Sequence, residues 1–253
     1  REAAQAEIIP RFNQVGFTIK PDGSFVTEAD LACNYRLQER LKARYPHIAF
    51  LSEEMEAAQQ AQLIQDSEWL WSLDPLDGTS NFTAGVPLFC TSLALIRRGQ
   101  VVQAVTYDPM RDEVFTAELG KGAYLNGQRL QCGVCGLSLK QSIALVDFKR
   151  LPPHIRTKLV NHPPYASQRN LGTCALEWAW MAAGRGQLYL HGGMKLWDLA
   201  AGSLLLSEAG GVAYTLQGEA VFNASLNIRS VIAASDPSLF KNWQAFMRDL
   251  VHE

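Results

Sequence analysis

A layered α/β fold, with sheets packed between helices, is predicted by two features of the sequence. Residues 88–130 read as short strands separated by turn signals, an antiparallel meander, while the second half mixes short apolar strands with helical segments. A third observation sets the scale. The chain has 253 residues, 47% hydrophobic and 19% charged, the composition of an ordinary globular protein. A compact chain of that length buries roughly 70–75% of its unfolded surface.

Taken in order, residues 1–17 read as helix with Pro10 as a kink, and the opening at Arg1 in mid-helix predicts further residues upstream. Thr27-Glu28-Ala29-Asp30 resembles a capping box, and Leu37, Leu41 and Tyr45 recur at helical spacing until Pro46 ends the helix. Residues 48–51 and 69–73 are short apolar runs, read as buried strands. Turns in the meander fall at Arg98-Gly99-Gln100, Asp108-Pro109, Gly120-Lys121-Gly122 and Asn126-Gly127, the last a strong hairpin signal. Strands at 143–146 and 230–234 then mix with helices near 173–184, 199–208 and 238–250. Asp236-Pro237-Ser238 supplies the start of the last helix. The chain is read as a single unit, 1–253, with an N-terminal half over 1–140 and a C-terminal half over 141–253.

Charge excludes some partners. With 23 Lys+Arg against 25 Asp+Glu, the net charge of -2 leaves no footprint for nucleic acid. No run approaches the roughly 18 apolar residues of a membrane span, and no secretory pattern opens the chain. Five cysteines, sparse and odd in number, suit reduced thiols in a cytoplasm. Cys132-Gly133-Val134-Cys135 looks like a redox or zinc motif but has no second cysteine pair or histidine set, and is read as incidental. Trp178 and Trp180, in a Met/Ala/Leu-rich segment, read as core or dimer interface rather than a base-stacking platform.

The acidic residues carry the chemistry. Glu54 follows the run at 48–51, Asp74 ends that at 69–73, and Asp198 opens an Ala/Leu-rich helix. Each alone reads as a surface pair, a capped turn or a helix cap. Their coincidence suggests more, because the ends of strands are where α/β folds place ligands. In Asp74-Pro75-Leu76-Asp77-Gly78-Thr79-Ser80-Asn81-Phe82, two carboxylates flank a stiffening proline and can converge on one point. Gly78 admits a close ligand, and Thr79 and Ser80 offer hydroxyls and N–H groups to an anion. Carboxylates beside a phosphate need hard cations between them, and oxygen-only donors select Mg²⁺. Two such ions could activate a water and stabilise a leaving oxygen.

Phe50-Leu51-Ser52-Glu53-Glu54, the 74–82 stretch, Trp197-Asp198-Leu199-Ala200-Ala201-Gly202 and Glu208-Ala209-Gly210-Gly211 together resemble the signatures of the inositol monophosphatase family. The resemblance runs from about residue 3 to 235 with the motifs in the family's order. It implies a five-layer αβαβα fold, a homodimer, and lithium-sensitive hydrolysis of phosphate monoesters with two or three Mg²⁺ ions. Carried over by position, it implies metal ligation by Glu54, Asp74, Asp77, Asp198 and the carbonyl of Leu76. Glu54, Thr79 and Asp30 become catalytic, Asp30 helping Thr79 to position or deprotonate the attacking water. Gly78, Thr79 and Ser80 hold the phosphate, Gly172, Thr173 and Cys174 touch the substrate alcohol, and Lys20 neutralises charge nearby.

Two departures stand out. Ser52 replaces the family's usual Gly, a mild change. His191, seven residues before Asp198, stands where inositol phosphatases carry a Glu that binds substrate hydroxyls. It either contacts substrate and alters specificity, favouring a second negative group when protonated, or faces solvent beside Gly192-Gly193. The expected reaction is Mg²⁺-dependent hydrolysis of inositol 1-phosphate or a related polyol or sugar phosphate. Within the superfamily the rivals are 3′(2′),5′-bisphosphate nucleotidase, fructose-1,6-bisphosphatase and histidinol-phosphatase. Asn81-Phe82 resembles the inositol branch more than the nucleotidase branch. A non-catalytic regulatory protein on the same fold is the rival of another class.

Overall fold

The first helix, α1 (Glu2–Glu7), stops short of Pro10, and residues 9–11 form a single 3-10 turn. Helix through residue 17 was the sequence expectation, and the structure corrects it. Proline lacks the N–H that an α-helix needs, so the chain turns. It then pairs β1 (Phe17–Ile19) with β2 (Phe25–Thr27) in a hairpin. The described residues are 1–21, 23–132 and 136–251 of this computed structural model. Cys135, half of the Cys132–Cys135 pair, lies outside them; Cys132 is buried, its thiol donating to the Ala209 carbonyl.

Thr27 starts α2 (Glu28–Arg44) with the expected capping box. Its Oγ1 accepts the Ala29 N–H at 3.1 Å, and Asp30 Oδ2 accepts the Thr27 N–H at 2.8 Å. The chain continues through β3 (Ala49–Ser52), α3 (Ala57–Asp66), β4 (Trp69–Asp77) and α4 (Thr79–Thr83). The meander follows as β5 (Cys90–Arg97), β6 (Gln100–Asp108), β7 (Glu113–Glu118), β8 (Gly122–Leu125) and β9 (Gln128–Leu130). Strands β3 to β9 form a seven-stranded sheet in chain order. Only the β3–β4 pair in it is parallel. Asn126 and Gly127 take left-handed φ angles of 48° and 80° between the paired Leu125 and Gln128, as the hairpin signal requires.

The remaining elements are β10 (Ile143–Asp147), α5 (Pro153–Asn161), β11 (Ser167–Arg169), α6 (Cys174–Ala182), β12 (Leu188–Met194), α7 (Leu196–Ala209), β13 (Val212–Tyr214), β14 (Arg229–Ala234) and α8 (Pro237–Val251). Their strands form a five-stranded sheet in the order β11-β10-β12-β14-β13.

Alternation along the second sheet sorts its side chains into two cores. Leu145, Tyr189, Val231 and Ala233 face α6, α7 and the meander. Ala144, Val146, Leu188, Leu190, Ile232 and Ala234 face α5 and α8. On the far side of the first sheet, Ala3 and Ala4 of α1 pack with Ala29 and Cys33 of α2. The result is the five-layer αβαβα sandwich. The middle layer explains the composition of α7, buried nearly all round because sheets cover it on both sides. Trp178 of α6 is wholly buried, which makes it core; Trp180 is half-buried, with the Arg111 and Arg185 guanidinium carbons each 5.3 Å from its ring centroid. Among the described residues no helix is long and apolar enough to cross a membrane.

Helices α6 and α7 approach each other closely at a glycine. A Cβ built on Gly202 would lie 2.2 Å from Trp178 Cγ, and the indole is fixed by its own edge-to-face contact with Tyr189 at 5.3 Å. Gly202→Ala should therefore cost about 3 kcal/mol, the upper part of the range for overpacking. Urea unfolding checks this, and a midpoint equal to that of the parent contradicts the packing.

Candidate active site

A cleft of about 310 Å³ opens where the ends of β3, β4, β10 and the first turns of α6 and α7 meet. The central device is a bulge in β4. In a regular strand, residues three apart face opposite sides. Here Asp74 pairs with Ser92 and Asp77 with Cys90, so two residues of β4, Pro75 and Leu76, oppose Thr91 alone. Pro75 has no ladder N–H to lose, and its carbonyl accepts the Thr91 hydroxyl at 2.9 Å. The extra residue puts both aspartates on one side.

Asp198 arrives from the first turn of α7, where Oδ2 accepts the Lys195 N–H at 2.9 Å. The remaining acid is Glu53, not Glu54. Ser52 to Met55 form a tight turn, closed by Met55 N–H to the Ser52 carbonyl at 3.2 Å, so consecutive side chains diverge. Glu53 joins Asp74 and Asp198, with carboxylate oxygens within 4.8 Å of one another. Glu54 instead takes the Lys20 ammonium at 2.8 Å and does not line the cleft. The structure thus corrects the expected Glu54 to its neighbour. Lys20 bridges both, reaching Glu53 at 3.2 Å.

Around these acids the chain supplies donors. Asp77 Oδ2 accepts the Thr173 hydroxyl at 2.5 Å and the Ala175 N–H at 2.7 Å, at the start of α6. Thr173 is consequently committed to Asp77 and absent from the cleft lining, whereas Gly172 and Cys174 line it. Of the three residues expected to touch a substrate, two thus face the cleft and the Thr173 hydroxyl holds Asp77. Gly78 has a φ of +92°, and a Cβ there would meet the Leu88 carbonyl at 2.9 Å. Gly78, Thr79 and Ser80 all line the cleft. The Thr79 hydroxyl lies 3.1 Å from Asp30 Oδ1 and 2.9 Å from the Leu76 carbonyl, so its one proton serves either acceptor.

His191 is buried on β12 rather than facing solvent, and it lines the cleft. Its Nδ1 accepts the Gly193 N–H at 3.1 Å, which places the ring proton on Nε2. Nε2 faces Cys174 Sγ at 3.5 Å and Asp147 Oδ2 at 3.6 Å. Burial drives its pKa down to about 4, against the opposing pull of Asp147, so the ring is neutral near pH 7. Sequence reasoning missed Asp147, Lys149, Arg150 and Asn170, which also line the cleft. Asp147 ends β10, and the strand-end rule that singled out Asp74 applies to it equally.

Three comparisons bear on this arrangement. The model of the inositol monophosphatase family matches residues 3–251. A protein named Nus factor SuhB from Salmonella typhimurium is 35% identical over 235 residues, covering 91% of this chain and 85% of that protein. An inositol-1-monophosphatase from Mesorhizobium japonicum is 35% identical over 215 residues, covering 79% and 76%. The crystal structure of extragenic suppressor protein suhB from Bartonella henselae superposes with a TM-score of 0.84 at 29% identity, covering 97% of this chain and 94% of that one.

Crowding leaves a titration signature in the metal-free protein. Burial, then the charges of Glu53 and Asp77, push Asp198 up to about 8, and burial raises Asp77 to about 6. An unfolded Asp titrates near about 3.9, so the folded chain holds more protons between these values. These two aspartates then contribute stability that is lost as pH rises from about 4 to about 8, against a smaller opposite contribution from His191, whose lowered pKa adds stability between about 4 and about 6.5. Urea denaturation in a chelator should show this decline, and Asp198→Asn should flatten its alkaline part. A metal-free parent that gains stability over that range contradicts the crowding.

Proposed function

Because the chain belongs to the inositol monophosphatase family, we propose that it is a Mg²⁺-dependent phosphomonoesterase acting on a small polyol, sugar or inositol phosphate. One observation carries the reading: acids from three separate elements, Glu53, Asp74 and Asp198, bring oxygens within 4.8 Å of one another in a cleft.

The donor set fits a hard divalent cation. Every ligand atom on offer is oxygen, and the acids are held together although burial and mutual repulsion raise the pKa of Asp74 well above its ordinary value. Glu53, Asp74, Asp77, Asp198 and the Leu76 carbonyl would hold the ions. Bound there, Mg²⁺ supplies neutralising charge to phosphoryl oxygens and acidifies water.

The chain's own groups do the rest. Thr79 Oγ1, turned to donate to Asp30 Oδ1, keeps its lone pairs for a proton of the attacking water. Asp30 is oriented by the Thr27 N–H and hydroxyl on its other oxygen, at 2.8 and 2.6 Å. Gly78, Thr79 and Ser80 lie where they can take the phosphate, and Gly172, Cys174 and His191 where they can meet the alcohol. A neutral His191 donates through Nε2, so it suits a hydroxyl or carbonyl oxygen. The likeness to proteins named Nus factor raises a regulatory role as a second reading. Retention of every proposed metal carboxylate favours turnover. Family membership also supports a homodimer, which sedimentation would test.

Phosphate release from inositol 1-phosphate should require Mg²⁺ and disappear with a chelator. Glu53→Gln should lower kcat/KM by about 100-fold or more, as loss of a charge-stabilising group does, with Glu54→Gln much milder. Equal losses in the two variants would contradict the assignment of Glu53. Millimolar Li⁺, about the range in which a small cation contests a loosely held Mg²⁺ site, should inhibit. Full activity at saturating substrate in Li⁺ argues for another metal arrangement.

A further inference from the structure

The cleft has a second end that the phosphate chemistry does not use. There β10 and β12 run parallel, with Asp147 opposite His191, and the chain leaves β10 through Lys149 and Arg150. Both side chains are exposed and both line the cleft.

This turn is built rather than incidental. A Cβ on Gly192 would sit 2.2 Å from the carbonyl carbon of Arg150 and 2.5 Å from the nitrogen of Leu151. A Cβ on Gly193 would lie 3.2 Å from Arg150 Cδ. Two successive glycines on β12 therefore let the 149–151 segment press against the strand beside His191. Two hydrogen bonds hold it there. The Lys149 N–H donates to Asp147 Oδ1 at 2.5 Å, and Arg150 Nη1 donates to the Gly193 carbonyl at 2.6 Å. The first engages Asp147 Oδ1 and the second fixes the guanidinium, while Asp147 Oδ2 lies 3.6 Å from His191 Nε2. Among the described residues lining this end, Asp147 is one acid, held by a backbone N–H, against the two cations Lys149 and Arg150, so this end of the cleft carries a net positive charge.

A ring that carries only hydroxyls has no use for two full positive charges, whereas an anionic oxygen group does. We propose that Lys149 and Arg150 bind a second anionic group, phosphate or carboxylate, on the alcohol portion of the substrate. The inference rests on the phosphatase reading above and narrows its substrate class. Arg150, held by Gly193, is the oriented donor, and Lys149 adds a point charge. His191 then contacts the linking polyol rather than the second anion.

Matched substrate pairs test it in the presence of Mg²⁺: fructose 1-phosphate against fructose 1,6-bisphosphate, and glycerol 3-phosphate against 3-phosphoglycerate. The first pair reads a second phosphate, the second a carboxylate. In the parent, kcat/KM should favour the doubly anionic member of at least one pair by about tenfold or more, the scale of a charged hydrogen bond. In Lys149→Gln and in Lys149→Gln/Arg150→Gln that ratio should fall toward one. Glutamine at 150 removes the charge and keeps a polar side chain, and the exposed Lys149 variant stands alone if the double variant does not fold. Mg²⁺-dependent release with ratios the same in parent and variants overturns the inference alone. Absence of release from all the substrates overturns the phosphatase reading and the inference with it.

Discussion

Carboxylates gathered in one cleft, as the proposed cation centre requires, repel each other, and the architecture of this chain holds them together. Glu53, Asp74, Asp77 and Asp198 come from a turn, a bulged strand and the first turn of a helix. The chain holds them in part with hydrogen bonds: the Lys195 N–H to Asp198, the Thr173 hydroxyl and Ala175 N–H to Asp77, and the Leu76 N–H to Asp74 at 3.1 Å. Lys20, in salt bridges to Glu53 and Glu54, adds a compensating charge from the β1–β2 connection. Fixed geometry of this kind favours charge that develops late in a reaction, because no reorganisation is needed when it appears.

The layers supply the rigidity. Asp198 can be fixed because α7 is gripped by both sheets, and it lies between the buried Trp197 and Leu199 of the middle-layer core. Asp77 is fixed through α6, whose first turn reaches it while its body is packed against α7 through Trp178 and Gly202. Glu208, at the other end of α7, accepts the Gly120 and Gly122 N–H groups at 2.7 Å each and ties the helix to the meander. The Glu-Ala-Gly-Gly motif around it is thus structural. One helix thus joins the acid cluster to the packing of the fold.

Much of this was legible in the sequence. The meander, the capping box at Thr27 and the last helix announce themselves through turn residues and caps, which are local signals. The 74–82 stretch was legible because proline, glycine and acids combine in few ways. What stayed hidden depended on direction and on distance along the chain. Glu53 and Glu54 are identical in type and adjacent, and only the turn at Ser52–Met55 decides which one faces Asp74. The Thr173 hydroxyl is bonded to Asp77, far away in sequence, a pairing no local signal announces. His191 sits in a run broken by two glycines, which weakened the signal for β12 and left its burial unread. Pro10 reads locally as a kink yet lies beyond the end of α1, since propensity alone does not reveal the competing β1–β2 pairing.

The central claim is that these acids form one divalent-cation centre. Anomalous diffraction from crystals grown with Mn²⁺, a hard ion of the same oxygen preference, addresses it directly. Peaks bounded by Glu53, Asp74, Asp77 and Asp198, with the Leu76 carbonyl among the ligands and Glu54 still on Lys20, are the predicted result. A cleft without a peak at saturating Mn²⁺, or a peak ligated by Glu54, would contradict the account.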